Sequence, residues 1–288
     1  MSGAVTCSCR WSYIFAKKTI TSKQESYDAL VKLERGIPGA IWTLLDEVQV
    51  EDFIWLQKYG SFFLCKITDS ECVLGPQIAD DFVRNDLGHA RRAAWVKVSE
   101  LFVPGRVQRS VIAQRTIQRI NCSEVQQQYC GYIHGELSRN PDFLPNADDE
   151  EVGKGLLSIS PAEFADLLGP DDYEDVVAAF LQAKGWTLIR SSHFKSKPTF
   201  EFIMARSGPE YAHVQVKCYV PLRPSRYKEF TSMTERVFLF STATDPYPGE
   251  PVDRVATLSA KEVLEWAGRN TWALLPGVKL QLSLRLKM

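Results

Sequence analysis

The sequence predicts an α+β protein in two parts: a small β-barrel-like domain, then an α/β domain with a mixed sheet and flanking helices. Three observations point there. Across residues 41–120, short β-rich runs follow one another at turn-length intervals. From Leu156 onward, helical and strand periodicities alternate. Between the two lies a polar, acidic stretch, Asn146-Ala147-Asp148-Asp149-Glu150-Glu151, followed by Gly153 and Gly155. These set the expected organisation as a β-rich domain at 1–120, a helical and acidic linker at 121–155, and an α/β domain at 156–288.

Composition narrows the class. The 288 residues are 45% hydrophobic and 24% charged, an ordinary globular balance. No apolar run reaches the roughly 18 to 20 residues that span a bilayer. The first ten residues lack a basic region followed by a long apolar stretch. The expectation is a soluble cytoplasmic protein with no membrane partner. The seven cysteines are odd in number and scattered, which suits reduced thiols. A net charge of -1 argues against a uniformly basic nucleic-acid binder and leaves room for a local basic groove.

In chain order, residues 1–37 read as an irregular lead and a short helix over 23–35, stopped by Gly36 and Pro38-Gly39. Ile41-Trp42-Thr43-Leu44 reads as a strand. Phe53-Ile54-Trp55-Leu56 and residues 61–67 form a hairpin about Tyr59-Gly60. Residues 94–98 give another strand, and 101–106 a punctuated loop. A helix follows over 123–134, then an early helix of the second domain over 156–168, started by Ser160-Pro161-Ala162-Glu163. Residues 171–184 are an amphipathic helix with Tyr173, Val176, Val177, Phe180 and Leu181 on one face, ended by Gly185. Strands are expected at 186–189, 200–205, 213–219 and 237–241, the middle two joined about Ser207-Gly208-Pro209. A late helix covers 259–268, with Ser259 as its cap.

The chemistry lies in Thr199-Phe200-Glu201-Phe202 and Gln215-Val216-Lys217. Gln215 and Lys217 are two apart on a strand and face the same side. Phe200 and Phe202 alternating with Glu201 suggest one buried face and one functional face. The order helix, strand, strand with an acid, strand with Gln-x-Lys resembles the restriction-endonuclease-like superfamily, known by its PD-(D/E)xK motif, and most nearly its Mrr-like branch. The resemblance covers roughly residues 171–268, a third of the chain. It implies a restriction-endonuclease-like sheet, with Glu201, Gln215, Lys217 and the upstream Glu174 as catalytic residues. Glu201, Gln215 and Glu174 would hold Mg²⁺ or Mn²⁺. Lys217 would orient the attacking water or stabilise charge on the phosphate. The sequence departs from the pattern in two places: Glu201 stands where Asp is usual, with Pro198 three residues earlier, and Gln215 replaces the second acid.

The implied activity is metal-dependent cleavage of DNA phosphodiester bonds, in the setting of a prokaryotic restriction-type or anti-phage effector. The alternative is a noncatalytic nucleic-acid- or protein-binding subunit that keeps an inactive nuclease fold. DNA is the implied partner, with an activating subunit or ligand as a further candidate. Enzymes that cut both strands are often dimers, so a homodimer is a candidate state. His193, Lys195 and Lys197 before Glu201, and Arg223, Arg226 and Lys228 after Lys217, would line a DNA groove; polar loops are also simply solvated. In the N-terminal part, the aromatic-rich hairpin resembles SH3-like and PUA-like reader modules, which implies a reader pocket from Trp42, Trp55, Phe63 and Trp95. Core packing is the competing role for these rings. A second basic group, His89, Arg91, Arg92, Lys97, Arg106, Arg109, Arg115 and Arg119, reads equally as nucleic-acid contact or solvated face. Cys7-Ser8-Cys9 has the wrong spacing for zinc, and no nucleophile elbow or phosphate-binding Gly-Lys-Ser/Thr loop is present.

Overall fold

A computed structural model describes residues 2–8, 24–25, 28, 42–74, 87–112, 117–144, 147–191 and 199–287. The chain divides into two compact units. One comprises Met1–Glu100 and Ser110–Leu144, and the other Leu101–Arg109 and Pro145–Met288. The fold is α+β, as expected. No described helix is long and apolar enough to cross a membrane.

The first unit is built on an antiparallel sheet in the order β1-β4-β3-β2. Its strands are β1 (Ser2–Ser8), β2 (Phe53–Lys58), β3 (Ser61–Leu74) and β4 (Leu87–Val98). Tyr59 (φ 50°) and Gly60 (φ 74°) make the two-residue left-handed turn that matches strand twist, so β2 and β3 form the expected hairpin. Helix α1 (Gly105–Ile112) follows β4, and α2 (Glu124–Arg139) belongs to this unit. A Ser123 capping box with Gln126 starts α2, and its buried stripe is Tyr129, Cys130, Ile133, His134 and Leu137. His134 Nε2 lies 2.9 Å from the Ala94 carbonyl, and its ring meets Phe53 edge-on at 5.8 Å, which seats α2 on the sheet. Burial pushes the Cys65 and Cys130 thiols up to about 12, so both stay protonated.

Three expectations here need correction. Residues 2–8 are a strand paired with β4, not an irregular lead. The described part of the run at 41–44, Trp42 to Leu44, is not a strand: Thr43–Glu47 is a helical turn closed by Val48 N–H to the Thr43 carbonyl at 3.0 Å, with Leu44 fully buried. A run of four residues carries no usable periodicity, so burial of Leu44 decides the local form. Residues 105–106, expected in a loop, open α1.

The second unit has a five-stranded mixed sheet in the order β5-β6-β7-β8-β9. β5 (Thr187–Ser191), β6 (Phe202–Arg206) and β7 (Glu210–Lys217) form an antiparallel meander. β8 (Glu235–Ser241) and β9 (Val255–Leu258) add in parallel. Gly208, with φ 102°, makes the β6–β7 turn where it was expected. Alternation along the strands gives the sheet two faces. Phe202, Met204, Ala212, Val214, Val216, Phe238 and Phe240 point into the main core. The opposite face carries a smaller cluster of Phe200, Leu222, Val237, Leu239 and Val255, flanked by Tyr227, Phe230 and Tyr247.

The main core is closed by α3 (Asp149–Leu157), α4 (Pro161–Leu167), α5 (Pro170–Ala183), α6 (Ala260–Arg269) and α7 (Pro276–Leu286). The acidic run expected inside the linker at 121–155 starts α3. Asp148 Oδ1 accepts from the Glu150 and Glu151 amides at 2.9 and 3.0 Å, and the acids suit the positive end of the helix. Its glycines are packing residues. A Cβ on Gly153 would stand 2.8 Å from the Gly268 carbonyl oxygen, and one on Gly155 would stand 3.1 Å from that of Leu282, so α6 and α7 cross α3 backbone to backbone.

Gly153→Ala is therefore expected to destabilise the protein by about 1 kcal/mol. The overpacking cost of roughly 1–3 kcal/mol outweighs the roughly 1 kcal/mol that alanine gains in helix propensity. Lys154→Ala, on the exposed side of the same helix, is expected to leave the denaturation midpoint close to that of the wild type. Denaturation midpoints of the two variants check this, and a more stable Gly153→Ala contradicts the crossing.

Candidate functional site

The β6–β7 register assembles the site. Phe202 pairs with Val214, and the Glu201 amide donates to the Val214 carbonyl at 2.9 Å, which brings Glu201 beside Gln215. On β7, Val214 and Val216 point into the main core, so Gln215 and Lys217 lie on the second face, in register with Leu239 and Ser241 of β8. Three predicted residues meet there. Lys217 Nζ donates to Glu201 Oε1 at 2.5 Å, and Gln215 Nε2 donates to the same oxygen at 3.2 Å. The Glu201 side chain is 17% exposed, that of Lys217 43%, and Gln215 is buried.

Gln215 Oε1 is buried with no hydrogen-bond partner among the described residues. Turning the amide over would set two oxygens against each other, so the carbonyl end faces away from Glu201. An unpaired buried carbonyl costs about 1–3 kcal/mol. A cation taken up by Glu201 in place of its present donors would let the amide turn over and bring this carbonyl onto the ion, which removes that cost. The donor chemistry also fits Mg²⁺ or Mn²⁺, which binds through one or two carboxylates and completes its shell with water and phosphate oxygens. Among the described residues no group of three or more His, Cys, Asp or Glu converges, so a metal here would rely on Glu201, the Gln215 carbonyl and oxygens from outside the protein.

Glu174 is half-buried on α5, the helix that packs on the main-core face. Its charge reaches the end of β7: burial raises the Cys218 thiol, Glu174 adds to the rise, and Arg109 and Lys217 oppose it.

The alternation expected through Phe200, Glu201 and Phe202 does not hold. Residues 199–201 are a bend ahead of β6, so Phe202 enters the main core while Phe200 joins the second-face cluster. There Phe200 stacks on His213 at 4.8 Å and meets Phe230 at 5.0 Å and Tyr227 at 6.0 Å. The last two rings belong to a 3-10 segment, Pro224–Phe230. One side of that segment is pinned to the sheet, and Arg223, Arg226 and Lys228 are exposed on and beside it. Ser225, Arg226, Lys228 and Glu229 line an open hollow of about 780 Å³.

Tyr227 was not foreseen as a site residue. Burial raises its phenol, with Lys217 and Arg226 opposing and Glu201 adding to the rise, so the ring stands close to the Glu201–Lys217 pair. Its sequence signal was a tyrosine inside the Arg223-Pro224-Ser225-Arg226-Tyr227-Lys228 run. His193, Lys195 and Lys197 fall in 192–198, outside the described residues.

The reader pocket is not assembled as expected. Trp55 lies in register with Leu64 and Val96 on one face of the first sheet. Phe63 is in register with Lys97, and Trp95 with Cys65, on the other. Trp42 precedes the helical turn at 43–47. One cage from these four rings is ruled out by the strand alternation. The second basic group also divides. Arg91 is buried and donates to the Leu44 and Ser70 carbonyls at 3.0 and 2.8 Å. Arg106 and Arg109 pair with Asp166 of α4. Arg115 lies outside the described residues.

No protein-family model matches the chain, and no curated protein matches it. Among solved structures, one described as "DNA modification-dependent restriction endonuclease AspBHI" is similar at a TM-score of 0.28 and 10% identity, over 82% of this chain and 61% of that one. The chain thus spans less than two thirds of that protein, and a likeness this distant says nothing of activity.

Phe200→Ala is expected to lose about 3 kcal/mol, as for other buried phenylalanines, and to loosen the 224–230 segment. Chemical denaturation and the rate of tryptic cleavage after Arg226 and Lys228 check this. Unchanged proteolysis would show that the ring does not hold the segment.

Proposed function

We propose that the second unit is a metal-dependent DNA endonuclease. The observation that carries this reading is the convergence of Gln215 Nε2 and Lys217 Nζ on one oxygen of Glu201, with Gln215 Oε1 buried and unpaired beside them. Glu201 and the Gln215 carbonyl would hold Mg²⁺ or Mn²⁺; Glu174, on α5, stands at the opposite, main-core face of the sheet. The metal, when bound, supplies charge neutralisation at the scissile phosphate and acidifies a coordinated water.

The protein's own residues do the rest. Glu201 would take a cation in place of Lys217, which would leave the ammonium free. Lys217, with three donors and no acceptor, serves as a hydrogen-bond donor: it holds a non-bridging phosphate oxygen or orients the attacking water. Water oxygen would bond to phosphorus and lose a proton to solvent, the bond from phosphorus to the leaving sugar oxygen would break, and that oxygen would take up a proton from solvent. Arg223, Arg226 and Lys228, exposed along the 3-10 segment, contact backbone phosphates on either side. An activating partner or ligand acting through the first unit, a homodimer for double-strand cleavage and a restriction-type or anti-phage setting fit this reading. Among the described residues, the lack of a third converging His, Cys, Asp or Glu favours the second reading, a noncatalytic subunit that binds nucleic acid or protein.

Supercoiled plasmid with Mg²⁺ or Mn²⁺ tests the proposal. The wild type is expected to nick or linearise it, and Glu201→Ala and Lys217→Ala to be slower by at least about 100-fold. Equal cleavage by all three ends the site assignment, and cleavage by none favours the binding reading. Removing Arg226 or Lys228 is expected to weaken DNA binding at every sequence alike and to flatten its salt dependence by about one unit of slope for each phosphate no longer neutralised.

A further inference from the structure

The chain leaves β7 through an unusual backbone. Tyr219, two residues beyond Lys217, has φ 60°, in the left-handed region that a bulky side chain enters only at a cost. Such residues persist where their surroundings over-determine them. Here the surroundings do so. The Tyr219 phenol donates to Asp166 Oδ1 of α4 and lies 3.3 Å from the Ala162 carbonyl. Burial raises the phenol, and the hydrogen bond to Asp166 adds to the rise, so it stays a donor. Its amide donates to Thr242 Oγ1 at 3.1 Å, and the Thr242 amide donates to the Lys217 carbonyl at 3.4 Å.

Asp166 is itself held. Arg106 and Arg109 of α1 both pair with it, and Arg109 Nη1 donates to the Ala165 and Leu168 carbonyls at 2.8 Å each. The Arg109 guanidinium lies 5.9 Å from the Tyr219 ring centroid. Close approach of this stretch depends on Gly105, where a Cβ would stand 1.8 Å from the Leu168 carbonyl oxygen.

Space-filling does not explain this arrangement. Glycine would adopt the same backbone without strain, and Tyr219 is exposed. What tyrosine adds is the tie from the end of β7 to Asp166. Lys217 needs such a tie: its side chain is long, half-exposed and rotamer-rich, so the placement of its backbone decides where the ammonium reaches. We propose that Tyr219, held through Asp166 by Arg106 and Arg109, is a positioning residue that fixes Lys217 against Glu201 for phosphodiester cleavage. This rests on the nuclease reading of the Glu201–Lys217 site.

Two substitutions in the full chain test it. Tyr219→Phe removes only the hydroxyl, and Tyr219→Gly removes the side chain and relieves the backbone. Both are read by melting temperature, by kcat and KM on a DNA duplex with Mn²⁺, and by the ¹³Cε resonance of Lys217, assigned through its loss in Lys217→Arg. The expected result is an unchanged melting temperature, a fall in kcat of about 10- to 100-fold at constant KM, and a displaced Lys217 resonance in both variants. An unmoved resonance in Tyr219→Phe, or a kcat within about twofold of wild type, overturns the proposal. If the wild type cleaves nothing, the nuclease reading fails by itself. The resonance then decides whether Tyr219 positions Lys217: displaced upholds it, unmoved sinks it.

Discussion

The hydrogen bond from the Glu201 amide to the Val214 carbonyl sets the registry on which the site depends. It places the carboxylate one step ahead of the Phe202–Val214 pair, beside the face of β7 that carries Gln215 and Lys217. A slip of one residue would turn Gln215 and Lys217 into the main core and Val214 and Val216 out of it. The apolar residues on the core side thus enforce the polar arrangement on the other. Packing of Val214, Val216, Phe238 and Phe240 against α5 and α6 is what makes the Glu201 site reproducible.

Among the described residues the second face is only partly covered, and Lys217 is half-exposed on it. Phe200, Val237, Leu239 and Val255 form a small apolar floor under the Pro224–Phe230 segment, with Tyr247 pinned by its hydroxyl to the Leu258 carbonyl at 2.6 Å. Lys217 lies on this face at half exposure, and basic side chains stand on the segment above it. The weak point is Gln215. An amide oxygen lacks the charge of a second carboxylate, so a cation there would lean mainly on Glu201.

Much of the second unit was legible in the sequence because its signals are local. The 171–184 helix shows a clean apolar stripe, Gly185 stops it, and Ser207-Gly208-Pro209 marks the turn that brings Glu201 and Lys217 together. What escaped depends on distant partners. The acidic run and glycines at 148–155 look like a linker because the groups that need them, the Gly268 and Leu282 carbonyls, lie over a hundred residues away in sequence. β1 needs β4 to exist as a strand. Arg106 and Arg109 look like a basic surface until Asp166 is seen against them. Phe200 reads as the partner of Phe202 because a bend at 199–201 leaves no mark in an alternating pattern.

The central claim is that Glu201 and the Gln215 carbonyl make a cation site, and Mn²⁺ titration followed by electron paramagnetic resonance tests it without any nuclease assay. The expected result is one Mn²⁺ bound per chain, with binding abolished in Glu201→Gln, weakened at least about tenfold in Gln215→Leu, and tightened in Gln215→Glu, where a second carboxylate joins the first. Mn²⁺ binding of equal strength in wild type, Glu201→Gln and Gln215→Leu would place the metal elsewhere and contradict the claim.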